Sequence, residues 1–164
     1  MKPPLALDAP PVNDWTTELE ARGYPLADIP APAALYRPVV VHAGVAYVSG
    51  ALPIAGGQLV SRGTVGDGVT LEQARRAAEL CAANVLRALA RELGDPSRLE
   101  RVLRVGGYVT SAPGFAEQHL VVNGASELFL ALLGEVGLHA RSAIGVPSLP
   151  LGASVEIDAF FAVR

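Results

Sequence analysis

At 164 residues, with 51% hydrophobic and 18% charged side chains, the chain has the length and composition of one globular domain with a sizeable core. Its net charge of −3 and the lack of any basic run argue against a surface that neutralises nucleic-acid phosphates. Cys81 is the single cysteine, so no internal disulfide can form. The start of the chain lacks the apolar core of a signal peptide, and no apolar run approaches the ~20 residues of a membrane-spanning helix, so we expect a cytoplasmic protein without a membrane partner.

Residues 1–32 are predicted to form an N-terminal arm with a short helix, ahead of a domain at 33–164. The first part of the arm is rich in proline and has no hydrophobic period, whereas Asn13 or Asp14 can cap a helix that ends near Arg22. Further prolines after this helix favour an extended connector.

The pattern beyond the arm predicts the order hairpin, helix, strand, helix, hairpin. The elements before the last hairpin are predicted at Tyr36–His42 with Val45–Gly50, Gln58–Val60, Leu71–Leu93, Arg101–Thr110 and about Ala116–Leu133. The first long helix has the clearest ends, because Thr70 and Gln73 fit a capping box and Gly94 occupies a position that commonly ends a helix. An α+β domain follows, with a mixed sheet of about six strands and two helices on one face. The opposite face is too apolar to stay bare, so we expect other copies of the chain to cover it.

The last predicted unit is a hairpin of Ala140–Val146 with Ala153–Phe161, joined by a corner that holds two prolines and a glycine. If the apolar residues of the hairpin share one face, Val146 lies opposite Ala153. This register places four residues together on the other face: Arg141, Ala143, Glu156 and Asp158. One interpretation is an arginine that grips a ligand carboxylate beside an acid that handles water or a proton. The other is a cross-strand ion pair on a solvated sheet, which contributes under ~1 kcal/mol. The hairpin by itself favours the ion pair.

Several common catalytic and binding patterns do not occur in the sequence. It has no phosphate-binding loop that ends in Gly-Lys-Ser/Thr, no Gly-x-Gly-x-x-Gly after a strand and no Gly-x-Ser-x-Gly elbow. His42, His119 and His139 do not have the spacing of metal ligands, so no metal is expected. Cys81 falls in the apolar stripe of the first long helix, which predicts a buried and unreactive thiol.

Three stretches carry a family resemblance. They are Tyr47-Val48-Ser49-Gly50-Ala51-Leu52-Pro53, the Asn123 within Val-Val-Asn-Gly-Ala, and the block that runs from Ala140-Arg141-Ser142 through Leu149-Pro150 to Val155-Glu156-Ile157. In this order and spacing the chain resembles the RidA (YjgF/YER057c/UK114) family, and most of all its longer subgroup with an N-terminal extension. The resemblance covers about residues 33 to 164.

The resemblance implies a chorismate-mutase-like (bacillus type) α+β fold. It further implies a homotrimer whose sheets form a central barrel, with three ligand clefts between subunits. The implied activity is hydrolysis of reactive enamine/imine intermediates, of the 2-iminopropanoate and 2-iminobutanoate type, to 2-keto acids and ammonia. Neither a metal nor an organic cofactor is implied.

The resemblance also assigns roles to individual residues. Arg141 matches the arginine that binds the substrate carboxylate, a task suited to the planar guanidinium fork. Glu156 matches the acid that positions the hydrolytic water and accepts a proton from it. The positions that match the lining of the cleft are Tyr36, Ser49, Gly50, Asn123 and the backbone amide of Ala143.

Two positions depart from the family pattern. Many members have Cys where this chain has Ala143, and an acidic residue where it has Gly145. Both changes alter the size and polarity of the cleft, which keeps a second hypothesis open: a non-catalytic trimeric binder or sensor of small carboxylates. A third reading, an endoribonuclease, appears in names attached to the family, and the acidic charge of the chain argues against it.

Overall fold

A computed structural model describes residues 14–30 and 34–164 of the protein. In chain order its strands are β1 (Val39–His42), β2 (Val45–Ala51), β3 (Ile54–Ala55), β4 (Gln58–Leu59), β5 (Thr64–Val65), β6 (Gly68–Val69), β7 (Leu99–Thr110), β8 (Ala140–Val146) and β9 (Val155–Val163). The α-helices are α1 (Trp15–Ala21), α2 (Leu71–Leu93) and α3 (Gln118–Leu133). The main sheet has five strands in the order β1-β2-β9-β7-β8, and β3–β4 and β5–β6 form two small separate pairs. The predicted α+β class with a mixed sheet is therefore confirmed, with α2 and α3 on one face of the main sheet.

The ends of α2 are set by the capping residues that the sequence predicts. The Thr70 hydroxyl accepts a hydrogen bond from the Gln73 backbone N–H at 3.1 Å, and the Gln73 side chain accepts one from the Thr70 N–H at 2.9 Å. Gly94 follows the last turn with a φ of 68°, a conformation that favours glycine. Cys81 is fully buried on the inner face of α2, and burial raises the pKa of its thiol well above the usual value.

The predicted closing hairpin is wrong, because β8 and β9 are not neighbours. β7 lies between them, pairing parallel with β8 and antiparallel with β9. The Pro-rich segment that was expected to form a hairpin corner instead crosses from one side of β7 to the other. The two segments have strand conformation, as predicted, but each uses β7 as its partner.

The arrangement of β7, α3 and β8 explains why the hairpin does not form. A strand, a helix and a second strand in succession make a βαβ unit, in which the two strands pair in parallel. β7 is 12 residues long, and the backbone N–H and C=O groups along both of its edges need hydrogen-bond partners. β8 pairs with one edge and β9 with the other.

The register across β7 sorts the residues of β8 and β9 onto two faces. Arg141 and Ala159 both pair with Val105, so the three share the face that carries α2 and α3. Ile144 and Glu156 both pair with Tyr108 and therefore lie on the opposite face, which we call the open face. The predicted grouping of Arg141 and Ala143 with Glu156 and Asp158 on one face is therefore wrong as well.

The short helix predicted near the start of the chain is α1. The Asp14 carboxylate caps it by accepting a hydrogen bond from the Thr17 N–H at 3.2 Å. Trp15 and Leu19 are buried in the main core, and the Trp15 indole N–H donates to the Pro96 carbonyl at 3.0 Å. The proline-rich start of the predicted arm and its boundary at residue 32 lie outside the described residues, so the division of the chain at that point stays a prediction.

The second long helix packs so closely on the first that only glycine fits at one position. A Cβ built on Gly124 of α3 would lie 2.0 Å from the backbone carbonyl oxygen of Arg75 in α2. Contrary to expectation, the stretch Gln118–Gly137 has the length of a membrane span, with 20 residues and a mean hydropathy of 1.4. Half of it is buried within the domain, and its inner side contacts α2 and β7. Its apolar composition is thus accounted for by the core.

The open face carries large apolar side chains that remain in contact with solvent. Val40 and Ile144 are each 48% exposed, and Tyr47 is 43% exposed. The Tyr47 ring packs on Phe160 with 5.1 Å between centroids. An apolar face is therefore left without helices, as the sequence predicts, and such faces commonly bind other chains.

Candidate functional site

Arg141 lies on the edge strand β8, and its side chain reaches across to α3. Nη1 donates hydrogen bonds to Asn123 Oδ1 at 2.9 Å and to Ser126 Oγ at 3.0 Å, while Nη2 donates to the His119 carbonyl at 3.1 Å. Asn123 and Ser126 are three residues apart on α3, so they face the same side of the helix. The structure thus brings together two of the residues predicted from the sequence, Arg141 and Asn123.

A half-buried histidine extends this hydrogen-bonded group. His139 Nδ1 lies 2.7 Å from the Gly137 carbonyl oxygen, so Nδ1 carries the proton and Nε2 is the acceptor. The Ser126 hydroxyl is 3.0 Å from Nε2 and donates to it, which leaves its oxygen free to accept from Arg141. Burial lowers the pKa of His139, and the nearby positive charge of Arg141 lowers it further. A neutral imidazole therefore orients Ser126 toward the guanidinium.

The guanidinium of Arg141 is held by neutral acceptors alone. Among residues 14–30 and 34–164, no carboxylate lies within ion-pair distance of it. Three of its five N–H donors are used, so the Nε–H and one Nη2–H have no acceptor within those ranges. Burial lowers the pKa of Arg141 without removing its charge. A positive group with two unused donors is suited to a carboxylate, which accepts two parallel hydrogen bonds.

Glu156 lies on the open face, against the end of β2. A Cβ built on Gly50 would lie 2.0 Å from Glu156 Oε1, so the carboxylate occupies space that any other residue at position 50 would fill. Burial raises the pKa of Glu156, and the negative charge of Asp158 raises it further. A carboxylate with a raised pKa is a better proton acceptor than an exposed one, provided that it remains ionised.

Asp158 lies beside Glu156 in the space left by Gly106 of β7, which has no side chain. Its Oδ1 would lie 2.3 Å from a Cβ on Gly106, and its Oδ2 accepts a hydrogen bond from the Tyr108 hydroxyl at 3.0 Å. Arg104 Nη1 is 3.9 Å from Oδ1, too far for a hydrogen bond. Burial and the neighbouring Asp158 raise the pKa of Tyr108, which keeps it protonated and donating.

Three of the other predicted cleft residues come together at the end of β2, where Gly50 lies against Glu156. Tyr36, Ser49 and Gly50 line one cavity, and the Ser49 hydroxyl donates to the Arg37 carbonyl at 3.0 Å. Ala143 lies with the arginine instead, two residues along β8 and partly packed on the core. The predicted residues therefore form two groups: Arg141, Asn123 and Ala143 make up the arginine group, and Tyr36, Ser49, Gly50 and Glu156 make up the glutamate group.

Within one copy of the chain the two groups do not share a cleft. Arg141 points to the helix-covered face and Glu156 to the open face, with β7 between their strands. The expectation that Arg141 and Glu156 share one face of the sheet is wrong. Its physical reason is the insertion of β7, which gives Arg141 and Glu156 opposite parity in the sheet.

Comparison with known proteins gives the family of this fold. The family model described as "YjgF/chorismate_mutase-like, putative endoribonuclease" matches residues 16–163. The chain belongs to the YjgF/RidA family. Its fold is the chorismate-mutase-like α+β fold of that family, as the sequence resemblance implied.

Relatives of the chain extend over nearly its whole length. Protein TCP17 of Trypanosoma cruzi is 42% identical over 144 residues, which is 86% of this chain and 89% of the relative. The crystal structure of Atu1372 from Agrobacterium tumefaciens, a protein described as having unknown function, is 44% identical with a TM-score of 0.83 over 91% of both chains. RidA from an Antarctic Psychrobacter species is 26% identical with a TM-score of 0.58, over 83% of this chain and 94% of that one.

Ser126 and His139 were not predicted as part of the site of this YjgF/RidA chain. The spacing could have indicated them, because Ser126 is one helical turn after Asn123 and His139 is two residues before Arg141 on the approach to β8. The His139 ring is half-buried and hydrogen-bonded at both nitrogens.

The departure from the family pattern at Gly145 has a local structural correlate. A Cβ at this position would lie 2.8 Å from the Gln118 amide nitrogen and 3.1 Å from the Ser111 hydroxyl. Gln118 Nε2 in turn donates to the Phe115 carbonyl at 2.8 Å. The space beside β8 that an acidic side chain at position 145 would need is thus taken by a glutamine.

Within the described part of the chain, no group of three or more His, Cys, Asp or Glu residues could hold a metal ion.

Proposed function

We propose that this protein hydrolyses reactive enamine/imine intermediates derived from amino acids to 2-keto acids and ammonia, in clefts between the subunits of a homotrimer. Arg141 binds the substrate carboxylate, and Glu156 of the neighbouring copy positions the water. The observation that carries the proposal is the guanidinium of Arg141, which is fixed by neutral groups and keeps two donors without an acceptor in the described residues. A positive charge held in this way is matched to a small anionic ligand.

The reaction needs two groups at the imine carbon. In R–C(=NH)–COO⁻ + H2O → R–C(=O)–COO⁻ + NH3, the water oxygen bonds to the imine carbon while Glu156 accepts a proton from the water. That proton passes to the nitrogen and gives a carbinolamine, R–C(OH)(NH2)–COO⁻. Glu156 then takes the proton of the new hydroxyl and returns it to the amino nitrogen, so that the C=O bond forms as the C–N bond breaks and ammonia leaves. The raised pKa of Glu156 suits both steps, since the same group accepts the proton and returns it.

Subunit assembly reconciles this chemistry with the two separate groups. A guanidinium on one face and a carboxylate on the other face of a protomer cannot hold one small substrate. They meet if the open face of one copy packs beside the β8 edge of another, and a cyclic trimer forms three such contacts. The apolar side chains exposed on the open face support this packing.

Replacement of Arg141 tests the proposal directly. We expect Arg141→Ala to lower kcat/KM for 2-iminopropanoate generated in situ by about ten- to a hundredfold, because a charge-assisted hydrogen bond to the carboxylate is lost. Arg141→Lys keeps the charge without the fork and should fall between Arg141→Ala and wild type. The measurement is ammonia release above the uncatalysed rate, with Arg91→Ala, an exposed arginine of α2, as the control.

Two outcomes would contradict the proposal. An unchanged rate in Arg141→Ala would remove this residue from the mechanism. Binding of 2-keto acids in the absence of any imine turnover would select the alternative, a trimeric carboxylate binder or sensor, for which the altered Ala143 and Gly145 are the motivation. RNA cleavage by the protein that disappears in Arg141→Ala would overturn both.

A further inference from the structure

His139 is linked to Arg141 through a single hydroxyl group. The imidazole Nδ1 donates to the Gly137 carbonyl, and Nε2 accepts from the Ser126 hydroxyl, whose oxygen accepts from Arg141 Nη1. The ring also meets the buried Phe129 ring at 84°, with 5.8 Å between centroids. Both nitrogens and one edge of the imidazole are thus fixed, and the titratable nitrogen is the one that points toward Ser126.

The imidazole is close enough to the guanidinium for each charge to affect the other. Ser126 Oγ lies 3.0 Å from His139 Nε2 and 3.0 Å from Arg141 Nη1, so the two nitrogens are at most about 6 Å apart. A like charge at this distance disfavours the protonated imidazole. Arg141 therefore lowers the pKa of His139 in addition to the effect of burial, and the imidazole stays neutral while no anion is bound.

Arg141 is the neighbouring charge to which His139 responds. Among the charged and titratable groups around the imidazole, it is the one that lowers the pKa of His139. Glu127 pairs with Arg75, and the His119 side chain is exposed. The groups considered are Arg141 of β8, His119 and Glu127 of α3, Glu135 of the turn after α3, and Arg101 of β7.

We propose that His139 positions Arg141 through Ser126 and takes up a proton from solvent when a carboxylate binds to the guanidinium. The inference rests on the proposed function for the ligand of Arg141. A bound carboxylate offsets the guanidinium charge, so the repulsion that keeps the imidazole neutral is removed. Protonation turns Nε2 into a donor, and Ser126 Oγ accepts from it once its hydroxyl rotates.

Reciprocity between the two binding events fixes how the affinity depends on pH. If carboxylate binding raises the pKa of His139, protonation of His139 must strengthen carboxylate binding by the same factor. The affinity should therefore rise as the pH falls through the pKa of His139 in the complex, and level off below its pKa in the free protein. A carboxylate ligand remains ionised above about pH 4, so its own titration does not account for this change.

Calorimetric titration of the full chain with pyruvate measures this coupling. Use of two buffers with different ionisation enthalpies gives the number of protons taken up on binding. From about pH 8 to about pH 5 we expect the affinity to rise about fivefold or more, with net proton uptake. Binding of pyruvate without proton uptake, at an affinity that does not change with pH, would overturn the inference and leave the proposed function intact.

Variants assign the proton to His139. Glu156 of the neighbouring copy also has a raised pKa and could take up a proton, so the coupling is measured again in Glu156→Gln, where it should persist. In that background His139→Gln should abolish the coupling, because an amide keeps an acceptor for the Ser126 hydroxyl but cannot titrate. Loss of the coupling in Glu156→Gln, or its persistence when a folded protein also carries His139→Gln, would overturn the inference.

The positioning role is tested at about pH 8, where the imidazole is neutral. His139→Ala removes the acceptor for Ser126 and should weaken pyruvate binding about tenfold, whereas His139→Gln should restore most of the affinity. His42→Gln, at an exposed position of β1, is the control and should behave as the wild type. Circular dichroism and size-exclusion chromatography verify that the variants fold, and wild-type affinity in His139→Ala would overturn the positioning role.

The same titrations distinguish the inference from the proposed function. If pyruvate binds with proton uptake at His139 but no imine is turned over, the hydrolytic function fails and the inference stands. If pyruvate does not bind to the folded protein, the ligand assigned to Arg141 is wrong and both proposals are overturned.

Discussion

Asp158 is the residue that most directly tunes the proposed proton acceptor. It shares the open face with Glu156, two positions along β9, and its negative charge adds to the burial that raises the pKa of Glu156. Gly106 makes room for Asp158, and Tyr108 donates a hydrogen bond to it. The neighbouring charge is thus built into the sheet and is not an incidental surface contact.

Removal of this charge should change how the reaction depends on pH. In the proposed mechanism Glu156 acts in its ionised form, so activity should fall as the pH drops through its raised pKa. Asp158→Asn removes a negative neighbour, which lowers the pKa of Glu156 and should move the acidic limb of the kcat/KM profile to lower pH. The control is Glu100→Gln, which removes a charge at the far end of β7. A limb that stays in place in Asp158→Asn but moves in Glu100→Gln would contradict the assignment.

The individual residues of the arginine group were partly accessible to prediction. Family motifs identified Arg141 and Asn123, because both occur in stretches of characteristic sequence. Ser126 and His139 act through the guanidinium and not on a ligand, so no motif marks them. Their roles depend on the tautomer of one imidazole, which follows from the Gly137 carbonyl that accepts from its Nδ1.

At the level of elements, the contact between α2 and α3 depends on one glycine. Gly124 lies where the Arg75 backbone leaves no room for a Cβ, and a backbone cannot move aside as a flexible side chain can. This contact matters for the site, because α3 carries the Asn123 and Ser126 side chains that hold Arg141.

We expect Gly124→Ala to destabilise the protein by about 1–3 kcal/mol through overpacking, in spite of the better helix propensity of alanine. Urea denaturation measures the change. The control is Ala131→Gly at an exposed position of the same helix, which should cost about 1 kcal/mol from propensity alone. If Gly124→Ala were as stable as the wild type or more so, the close approach of the two helices would not be a constraint.

The elements also show how far local sequence information reaches. The bounds of α2 follow from a capping box and a terminal glycine, both of which act within a few residues. The partner of β8 does not follow from its own sequence, because alternation fixes the two faces of a strand but not its neighbours. The succession of β7, α3 and β8 held the missing information, since it predicts a parallel pair whatever the residues of β8.

At the level of the whole molecule, the two halves of the proposed site lie on opposite faces of the sheet of one protomer. The arginine group lies under α3, and the glutamate group lies on the open face. An apolar open face and a divided site are independent features of the chain, and the same assembly accounts for both. In the proposed trimer each copy would supply a guanidinium to one neighbour and a carboxylate to the other.

Mixing two inactive variants tests whether the site is divided between copies. Arg141→Ala and Glu156→Gln should each form trimers of about 51 kDa, three times 17.0 kDa, by light scattering, with activity at about a tenth of the wild type or less. Co-refolded in equal amounts, they should regain about a quarter of the wild-type rate. At each cleft the subunit that supplies Arg141 is the Glu156→Gln variant in about half of the cases, and the subunit that supplies Glu156 is the Arg141→Ala variant in about half, so both groups are intact in about a quarter of the clefts. Mixing without subunit exchange is the control and should recover nothing. If both groups acted from a single protomer, every mixed trimer would stay inactive, since no protomer would contain an intact pair.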